Sequence, residues 1–557
     1  MSMSFRKRIA VGLLVALPTG AGSMVSASAS PAPVPVPPDP VIANAQAAAA
    51  PAPSAGVKPL PRWRWAQYMA QKPKWSTRNC SPSARATATQ VSEDSPLTLE
   101  CARFRTPLDW SDLSKGSIVL NVSRVKSTAK KGAPKPRGLF INPGGPGGAA
   151  GPFVPLVSVV KPAWRTTHDI IGVDPRGTGR STPLPCAMPT TQPDQRNVSK
   201  AVRDAAWRGY KAWVQSCTAK QGAILPYITT VNTVRDHDLV RRVMGYDKLD
   251  FYGLSGGSWM GSWFAQLHPG TTGRIVLDAN AQFTTDWRSS FSHMPKGFQR
   301  RWDAQVLPWL ARRNSEYKMG STTKAVRATY ERIRSEAARG RIRDFSPAGL
   351  DSTVMMMIYD DQMLPILGTI LGEANSALKA TKGKIDLPLP PGMMPEVDDE
   401  MLATVTVRTA IICNDTKFDR RRESMEAEFL RAQKAFPLQG ANIGVITGPC
   451  AYWPYQPKSV PKIDGKGVPK MLMVQTELDP ATPIEGARLA HRDNAATRMI
   501  TVDDKGDHGG VLNSTPGSCV DKPVLAFLQK GTVPARDLTC AGTPMPNETR
   551  TYPVAVR

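Results

Sequence analysis

A serine lies among glycines in the segment GLSGG at residues 253–257, which has the pattern G-x-S-x-G. The residues before it, Lys248–Tyr252, are rich in apolar and aromatic residues and predict a short buried strand. The residues after it, Ser258–Leu267, suit a helix that Pro269 ends. Such a string also occurs in ordinary tight turns. On a strand-to-helix turn, however, it exposes a serine hydroxyl as a nucleophile, so Ser255 is the candidate.

A serine hydroxyl attacks a carbonyl only when a base removes its proton and a third group orients that base. With a G-x-S-x-G turn, the chain order is serine, acid, histidine. Of the six histidines, His491 and His508 follow the later predicted strands. His491 lies in a predicted helix, whereas His508 lies in the glycine-flanked loop DDKGDHGG directly after the strand RMITV. We therefore predict His508 as the base.

The acid is expected after the preceding strand, MLMVQT, where Glu477 and Asp479 both occur. Asp479 lies in the loop beyond the strand, and two nearby prolines stiffen that loop. Rigidity suits a carboxylate that must fix the tautomer and orientation of an imidazole. We predict Asp479 as the acid and keep Glu477 as the alternative.

Two backbone N–H groups are needed to bind the oxyanion of a tetrahedral intermediate. The first belongs to Gly256, the residue after the nucleophile. The second is expected in LFINPGGPGGAAG at residues 139–151, a glycine-rich turn after a strand, where Gly145 is preferred over Gly144. A phosphate-binding loop is the rival interpretation, but no G-K-[ST] follows.

Strand-like and helix-like segments alternate along the chain, which predicts an α/β fold with a mainly parallel sheet covered on both faces. The pattern gives way to helices after Trp287 and returns near Lys470, which predicts an inserted helical lid. The predicted units are a signal peptide at 1–29, an Ala/Pro-rich pro-segment or linker at 30–62, the first part of the core at 63–287, the lid and associated insertion at 288–465, and the C-terminal part of the core at 466–557.

The start of the chain has three basic residues at 6–8, a short apolar run over Ile9–Leu17 and an A-x-A site at 27–29. This order is typical of a secretory signal peptide, and the apolar run is too short for a stable membrane anchor. We therefore expect a secreted, extracellular protein.

The eight cysteines fall into four couples that are close in sequence, which suits disulfide bonds formed outside the cytoplasm. Nearest-neighbour pairing is one of 105 connectivities and stays open at this point. The couples are Cys80 with Cys101, Cys186 with Cys217, Cys413 with Cys450, and Cys519 with Cys540. No C-x-x-C or H-x-x-x-H spacing indicates a metal site, and we expect no cofactor.

The formal charge of +25 raises the question of nucleic acid binding. Lys and Arg are scattered, however, and in the densest region they alternate with apolar residues at helical spacing, which indicates a solvated helix face. We expect no nucleic acid partner; the charge favours weak attraction to an anionic cell wall.

Several motifs occur in a fixed order, namely NPGGPGG, DIIGVDPRGTGRS, GLSGGSW, LDPATP and GDHG. In this order they resemble the secreted tripeptidyl aminopeptidases of actinomycetes, which belong with the proline iminopeptidases among the α/β-hydrolase serine peptidases. The resemblance covers roughly residues 95 to 540. It implies an α/β-hydrolase fold with a lid, Ser255 as nucleophile, Asp479 as acid, His508 as base, and peptide or protein N-termini as substrate.

An exopeptidase of this kind must bind a free ammonium group, which the resemblance assigns to carboxylates under the lid. Asp415 in AIICND is the candidate, while Asp360 and Asp361 are weaker ones that also suit a helix surface. One departure concerns the elbow, where Gly256 stands in place of the family's tyrosine and removes a bulky wall of the acyl pocket. The competing functions are a lipase-like carboxylesterase, a proline iminopeptidase and an inactive binding protein.

Overall fold

The computed structural model describes residues 63–92, 97–188, 194, 196–387, 389, 397–440, 442–457 and 460–556. The predicted signal peptide and the Ala/Pro-rich segment lie outside the described residues.

A nine-stranded sheet forms the centre of the molecule, with the strand order β1-β2-β4-β3-β5-β6-β7-β8-β9. The strands β3 to β9 pair in parallel, and β1 and β2 form an antiparallel hairpin at one edge, with β2 also antiparallel to β4. The strands are β1 Leu99–Asp109, β2 Asp112–Val125, β3 Arg137–Asn142, β4 His168–Val173, β5 Leu249–Leu254, β6 Thr272–Asp278, β7 Met471–Thr476, β8 Thr497–Asp503 and β9 Leu538–Ala541.

The central strands are rich in apolar residues because helices cover both faces of the sheet. Every residue of β5 and of β7 is buried. Since parallel strands have their carboxyl ends at one edge, the loops after β3, β5, β6, β7 and β8 meet there. The predicted mainly parallel α/β-hydrolase sheet is confirmed.

Eighteen α-helices lie within the described residues. They are α1 Trp65–Met69, α2 Pro82–Val91, α3 Phe153–Val160, α4 Lys200–Gln221, α5 Thr230–Val243, α6 Gly256–Leu267, α7 Trp287–Ser292, α8 Met294–Arg301, α9 Leu307–Arg312, α10 Asn314–Tyr317, α11 Thr323–Ala338, α12 Pro347–Met357, α13 Leu364–Ala380, α14 Asp399–Asp415, α15 Arg422–Ala435, α16 Asn442–Thr447, α17 Ile484–Arg492 and α18 Asp521–Lys530. A π-helical turn over Trp302–Val306 joins α8 to α9.

The helices α7 to α16, together with the turns between them, form what we call the helical insertion, residues 287–452, between β6 and β7. Helix α4 precedes it in the chain but packs on it. Trp207 of α4 stacks on Phe429 with ring centroids 5.8 Å apart, and Arg203 forms an ion pair with Glu426. The sequence pattern did not predict this helix, which adds to the insertion from a separate part of the chain.

Four disulfide bonds join all eight cysteines, each to its neighbour in the sequence. They are Cys80–Cys101, Cys186–Cys217, Cys413–Cys450 and Cys519–Cys540.

Within the described part of the chain, we find no helix that combines the length and the apolar character needed to cross a membrane.

Candidate active site

Ser255 occupies a sharp turn between β5 and α6, with φ 59° and ψ −123°. A residue other than glycine rarely adopts positive φ, and the conformation persists only where neighbouring groups hold it. Here the Ser255 N–H donates to the Asp278 carbonyl at 2.9 Å, and the Ser258 hydroxyl donates to the Ser255 carbonyl at 2.6 Å. The turn therefore keeps the serine side chain at the carboxyl edge of the sheet.

The two glycines around the nucleophile have no space for a side chain. A Cβ atom on Gly253 would lie 2.2 Å from the Gly257 carbonyl oxygen, and one on Gly257 would lie 2.6 Å from the Asn142 carbonyl oxygen. Both obstacles are backbone atoms, which cannot turn away as a flexible side chain can. Only glycine fits at these two positions of the turn.

His508 and Asp479 meet in a buried pair, 1% and 0% exposed respectively. Nδ1 of the His508 ring lies 2.9 Å from each carboxylate oxygen of Asp479, so an Nδ1–H donates to the carboxylate. The same carboxylate accepts hydrogen bonds from Ala481 N, Thr482 N and the Thr482 hydroxyl, all at 2.9 Å. Four donors therefore fix the Asp479 carboxylate. Because Nδ1 carries the proton that is donated to Asp479, Nε2 is the ring nitrogen that can accept a proton.

Glu477, the alternative acid, and Asp507, the neighbour of His508 in the chain, have other partners. A side-chain oxygen of Glu477 accepts from the Asp504 N–H at 3.1 Å. Asp507 accepts from Lys505 and from the Asp361 N–H. Of Asp479, Glu477 and Asp507, only Asp479 is hydrogen bonded to the imidazole.

Nε2 of His508 makes no hydrogen bond to any side chain or backbone group of the described residues. Thr482, which lies 3.3 Å from Nδ1, lines the same small cavity as Ser255. Catalytic hydrogen bonds are often long or misaligned before substrate binds, so this arrangement fits a base that engages Ser255 during the reaction. The motif LDPATP contains Thr482, but sequence reasoning assigned it no role.

The predicted oxyanion donors lie beside the nucleophile. Gly145, Ser255 and Gly256 line one cavity, and a Cβ atom on Gly256 would lie 3.0 Å from Gly145 N. The alternative donor, Gly144, gives its N–H to Asn142 Oδ1 at 2.8 Å. Because that N–H is engaged, Gly145 remains the candidate, together with Gly256.

Ser255 is 6% exposed, and two cavities of about 20 Å³ each adjoin Gly256. The first cavity lies towards His293 and Pro483, and the second lies between the glycine-rich turn and Trp287. Each has room for about one water molecule.

Asp278 anchors the segment that follows His508. Its Oδ2 accepts from the Tyr252 hydroxyl at 2.8 Å and from Val511 N at 3.0 Å. Burial raises the pKa of Asp278 to about 6. This carboxylate thus connects β6 to the chain after the base.

Asp415 is buried at the C-terminal end of α14, and its Oδ2 accepts from Thr230 N at 2.9 Å. Burial raises the pKa of its carboxyl to about 6. Thr230 lines the second cavity beside Gly256, so Asp415 lies behind the wall of that cavity.

Asp360 and Asp361 are 4% and 2% exposed, so the helix-surface interpretation of these residues is wrong. They lie where α12 ends and a 3₁₀ turn begins, packed against the segment before His508. Although burial alone raises it, the adjacent Lys505 ammonium and Arg301 guanidinium lower the pKa of Asp361 to about 2. Asp361 is therefore already paired and is not an open site for a substrate ammonium.

Comparison with known proteins identifies the fold family. Residues 139–372 match the family model described as alpha/beta hydrolase fold, and residues 437–540 match the model described as TAP-like protein. It is an α/β hydrolase. The two matches cover the regions that contain Ser255, Asp479 and His508.

This α/β hydrolase is similar to several named enzymes. It is 29% identical to a tripeptidyl aminopeptidase of Streptomyces lividans, over 81% of this chain and 86% of the relative. It is 28% identical to serine protease Hip1 of Mycobacterium bovis, over 79% and 87%, and 27% identical to carboxylesterase B of Mycobacterium tuberculosis, over 80% and 86%. The comparisons support a serine hydrolase and, more narrowly, a serine peptidase.

Proposed function

We propose that this chain is a secreted serine exopeptidase that releases tripeptides or similar short units from the free N-termini of peptides. The observation that carries the proposal is the buried hydrogen bond between His508 and Asp479 beside the strained turn at Ser255. Peptides are proposed as the substrate class because two of the relatives are named as a tripeptidyl aminopeptidase and a serine protease.

In the proposed reaction, Nε2 of His508 accepts the Ser255 proton while Oγ attacks the scissile carbonyl. Asp479 holds the opposite ring nitrogen and stabilises the imidazolium that forms. The N–H groups of Gly145 and Gly256 bind the oxyanion of the tetrahedral intermediate. The imidazolium then protonates the leaving amine, and water hydrolyses the acyl-enzyme by the same route.

Restriction to free N-termini requires a group that binds an ammonium, and Asp415 is our candidate. Its position behind the cavity beside Gly256 supports this role. One of its oxygens already accepts from Thr230 N, which also suits a carboxylate that only stabilises the start of α5. The KM of an Asp415→Asn variant for the free anilide separates the two roles.

The test compares one tripeptide anilide with a free amino end and the same compound with that end acetylated. A secreted aminopeptidase cleaves only the free form, whereas cleavage of both forms contradicts the exopeptidase proposal. The similarity to carboxylesterase B makes an esterase the second candidate, so p-nitrophenyl acetate belongs in the same experiment. Hydrolysis of that ester alone identifies an esterase.

A further inference from the structure

The loop that carries His508 is held in part by the helical insertion and not only by the sheet domain. The His508 loop, residues 504–508, follows β8. The backbone N–H of His508 donates to the Tyr359 carbonyl at 2.7 Å, and the Tyr359 ring lies edge-on to the imidazole with centroids 5.1 Å apart. At the other end of the loop, Gln305 donates to the Asp504 carbonyl at 2.9 Å. Both contacts come from the insertion.

A buried charge cluster joins the same two segments. Arg301, at the end of α8, donates to Asp361 at 2.5 Å and to the Ile358 carbonyl at 3.1 Å. Lys505 of the His508 loop donates to Asp361 at 2.6 Å and pairs with Asp507 at 3.0 Å. Asp507 in turn accepts from the Asp361 N–H at 2.6 Å. Two cations thus bridge carboxylates from both sides of the contact.

Gly506 shows how tightly the two parts fit. A Cβ atom on Gly506 would lie 1.7 Å from Nη1 of Arg301, so the guanidinium occupies the space that any side chain at this position needs. Arg301 is 0% exposed. An ion pair in such a place is not easily separated, because each partner would remain charged without compensation.

We propose that Arg301 and Asp361 are positioning residues for His508, and that they set both its location and the net charge that it faces. The proposal rests on the proposed function to the extent that His508 is the base. It also implies that Arg301 and Asp361 stay in contact with the His508 loop when substrate binds. Any movement of the insertion that admits substrate then takes place in another part of it.

Charged and polar groups face the His508 region from every element packed on it. From the sheet domain they are Asp479, Thr482 and Asp278; from the insertion they are Arg301, Tyr359, Asp360 and Asp361; from the loop itself they are Lys505 and Asp507. Burial first, and then the Asp507 carboxylate, raise the pKa of Asp360 to about 7.

The test removes one charge at a time near the base, first a negative and then a positive one. Asp361→Asn removes a negative charge and disfavours the imidazolium, so the acidic limb of the kcat/KM profile should move to lower pH by about 0.5 unit. Lys505→Met removes a positive charge and should move the limb upward by about as much. The double variant should return it towards the wild-type position, and kcat of each single variant should fall roughly 10-fold with KM little changed.

Opposite shifts distinguish positioning from general damage to the fold. If both single variants lose activity but keep the acidic limb where it was, or if neither variant changes the profile, the proposal is wrong. Lys505 is partly exposed, with 12% of its side chain accessible, so Lys505→Met tests the proposal even if Asp361→Asn does not fold. Asp351→Asn is the matched control, since Asp351 pairs with Arg334 within the insertion and should leave the limb unchanged.

The profiles are measured with p-nitrophenyl acetate as well as with the tripeptide anilide. Hydrolysis of the ester depends on the base whether or not the enzyme is an exopeptidase. The test therefore remains valid even if the enzyme does not cleave peptides. His508→Ala is run in parallel. If that variant retains full activity, the assignment of the base fails, and this outcome differs from an unshifted limb in Asp361→Asn.

Discussion

Each catalytic candidate has a local environment that restricts what it can do. The turn at Ser255 is strained, and such a backbone costs on the order of 1–3 kcal/mol that the surrounding structure must offset. Asp479 is fully buried and accepts only N–H and O–H groups, so its carboxylate has no freedom to rotate away from the ring. The chemistry therefore depends on single side chains that neighbours cannot replace.

Ser255→Ala and His508→Ala should each remove nearly all hydrolysis, by a factor of about 10⁴ or more, because neither the nucleophile nor the base has a substitute. Rates with the tripeptide anilide and labelling by an organophosphonate are the measurements. Ser262→Ala is the control, since Ser262 is buried on the same helix and its hydroxyl donates to the Trp259 carbonyl. Substantial turnover by purified Ser255→Ala contradicts the assignment.

Asp479→Asn should lower kcat by about 10³- to 10⁴-fold, because an amide favours the wrong imidazole tautomer. Glu477→Gln should have a small effect, since its carboxylate accepts from the Asp504 N–H and not from the ring. Steady-state rates at pH 8 measure both variants. If Glu477→Gln is the more damaging, the acid has been assigned to the wrong residue.

Asp415 predicts a pH dependence that is specific to free amines. Burial raises its pKa to about 6, so the carboxylate that we propose for binding the substrate ammonium is present above that pH and lost below it. KM for the free tripeptide anilide should therefore rise as the pH falls below about 6, while KM for p-nitrophenyl acetate should not.

Asp415→Asn should give the high KM at every pH and keep an acceptor for Thr230 N. The control is Asp399→Asn, an exposed residue at the other end of the same helix. An unchanged KM in Asp415→Asn assigns Asp415 to the support of helix α5 alone.

At the level of elements, the strand–turn–helix unit that holds the nucleophile depends on close backbone contact between β5, α6 and the end of β3. Gly253→Ala should lower the free energy of unfolding by about 1–3 kcal/mol, because the new methyl group meets the Gly257 carbonyl. Gly270→Ala is the matched control, since nothing lies within 4 Å of its added Cβ. Thermal melting measures both, and equal melting temperatures contradict the steric explanation.

The elements that could be predicted from sequence are those whose signals are local. The alternation of strands and helices, the turn residues around Ser255 and the order of Ser255, Asp479 and His508 all lie in short segments. Residues whose role depends on a distant partner could not be predicted. The burial of Asp361 follows from Arg301 and Lys505, which are 60 and 144 positions away in the chain.

The helical insertion likewise includes a contact between distant segments that could not be predicted from the sequence. Its helical character is visible in the sequence between Trp287 and Lys470, but helix α4 lies before it and has no sequence pattern that links it to the insertion. The link is made by contacts such as the Trp207–Phe429 stack, which join residues more than 200 positions apart. Only a three-dimensional structure shows such a pairing.

For the molecule as a whole, the disulfide bonds should contribute strongly to stability. By loop-closure entropy, a bond that closes a loop of 21 to 37 residues contributes about 3–4 kcal/mol. A reducing agent should therefore lower the melting temperature by about 10 °C or more. Differential scanning calorimetry with and without reductant measures this, and free-thiol titration confirms that reduction has occurred. An unchanged melting point in a fully reduced sample contradicts a stabilising role.

The short spacing of the paired cysteines also has a consequence for biosynthesis. As a chain emerges from a ribosome or a translocation channel, each first cysteine meets its partner after no more than 37 further residues, and each couple is complete before the next begins. In an oxidising compartment, bonds made in the order of emergence are then already the native ones. The chain can reach its final connectivity without reshuffling, although 105 pairings exist in principle.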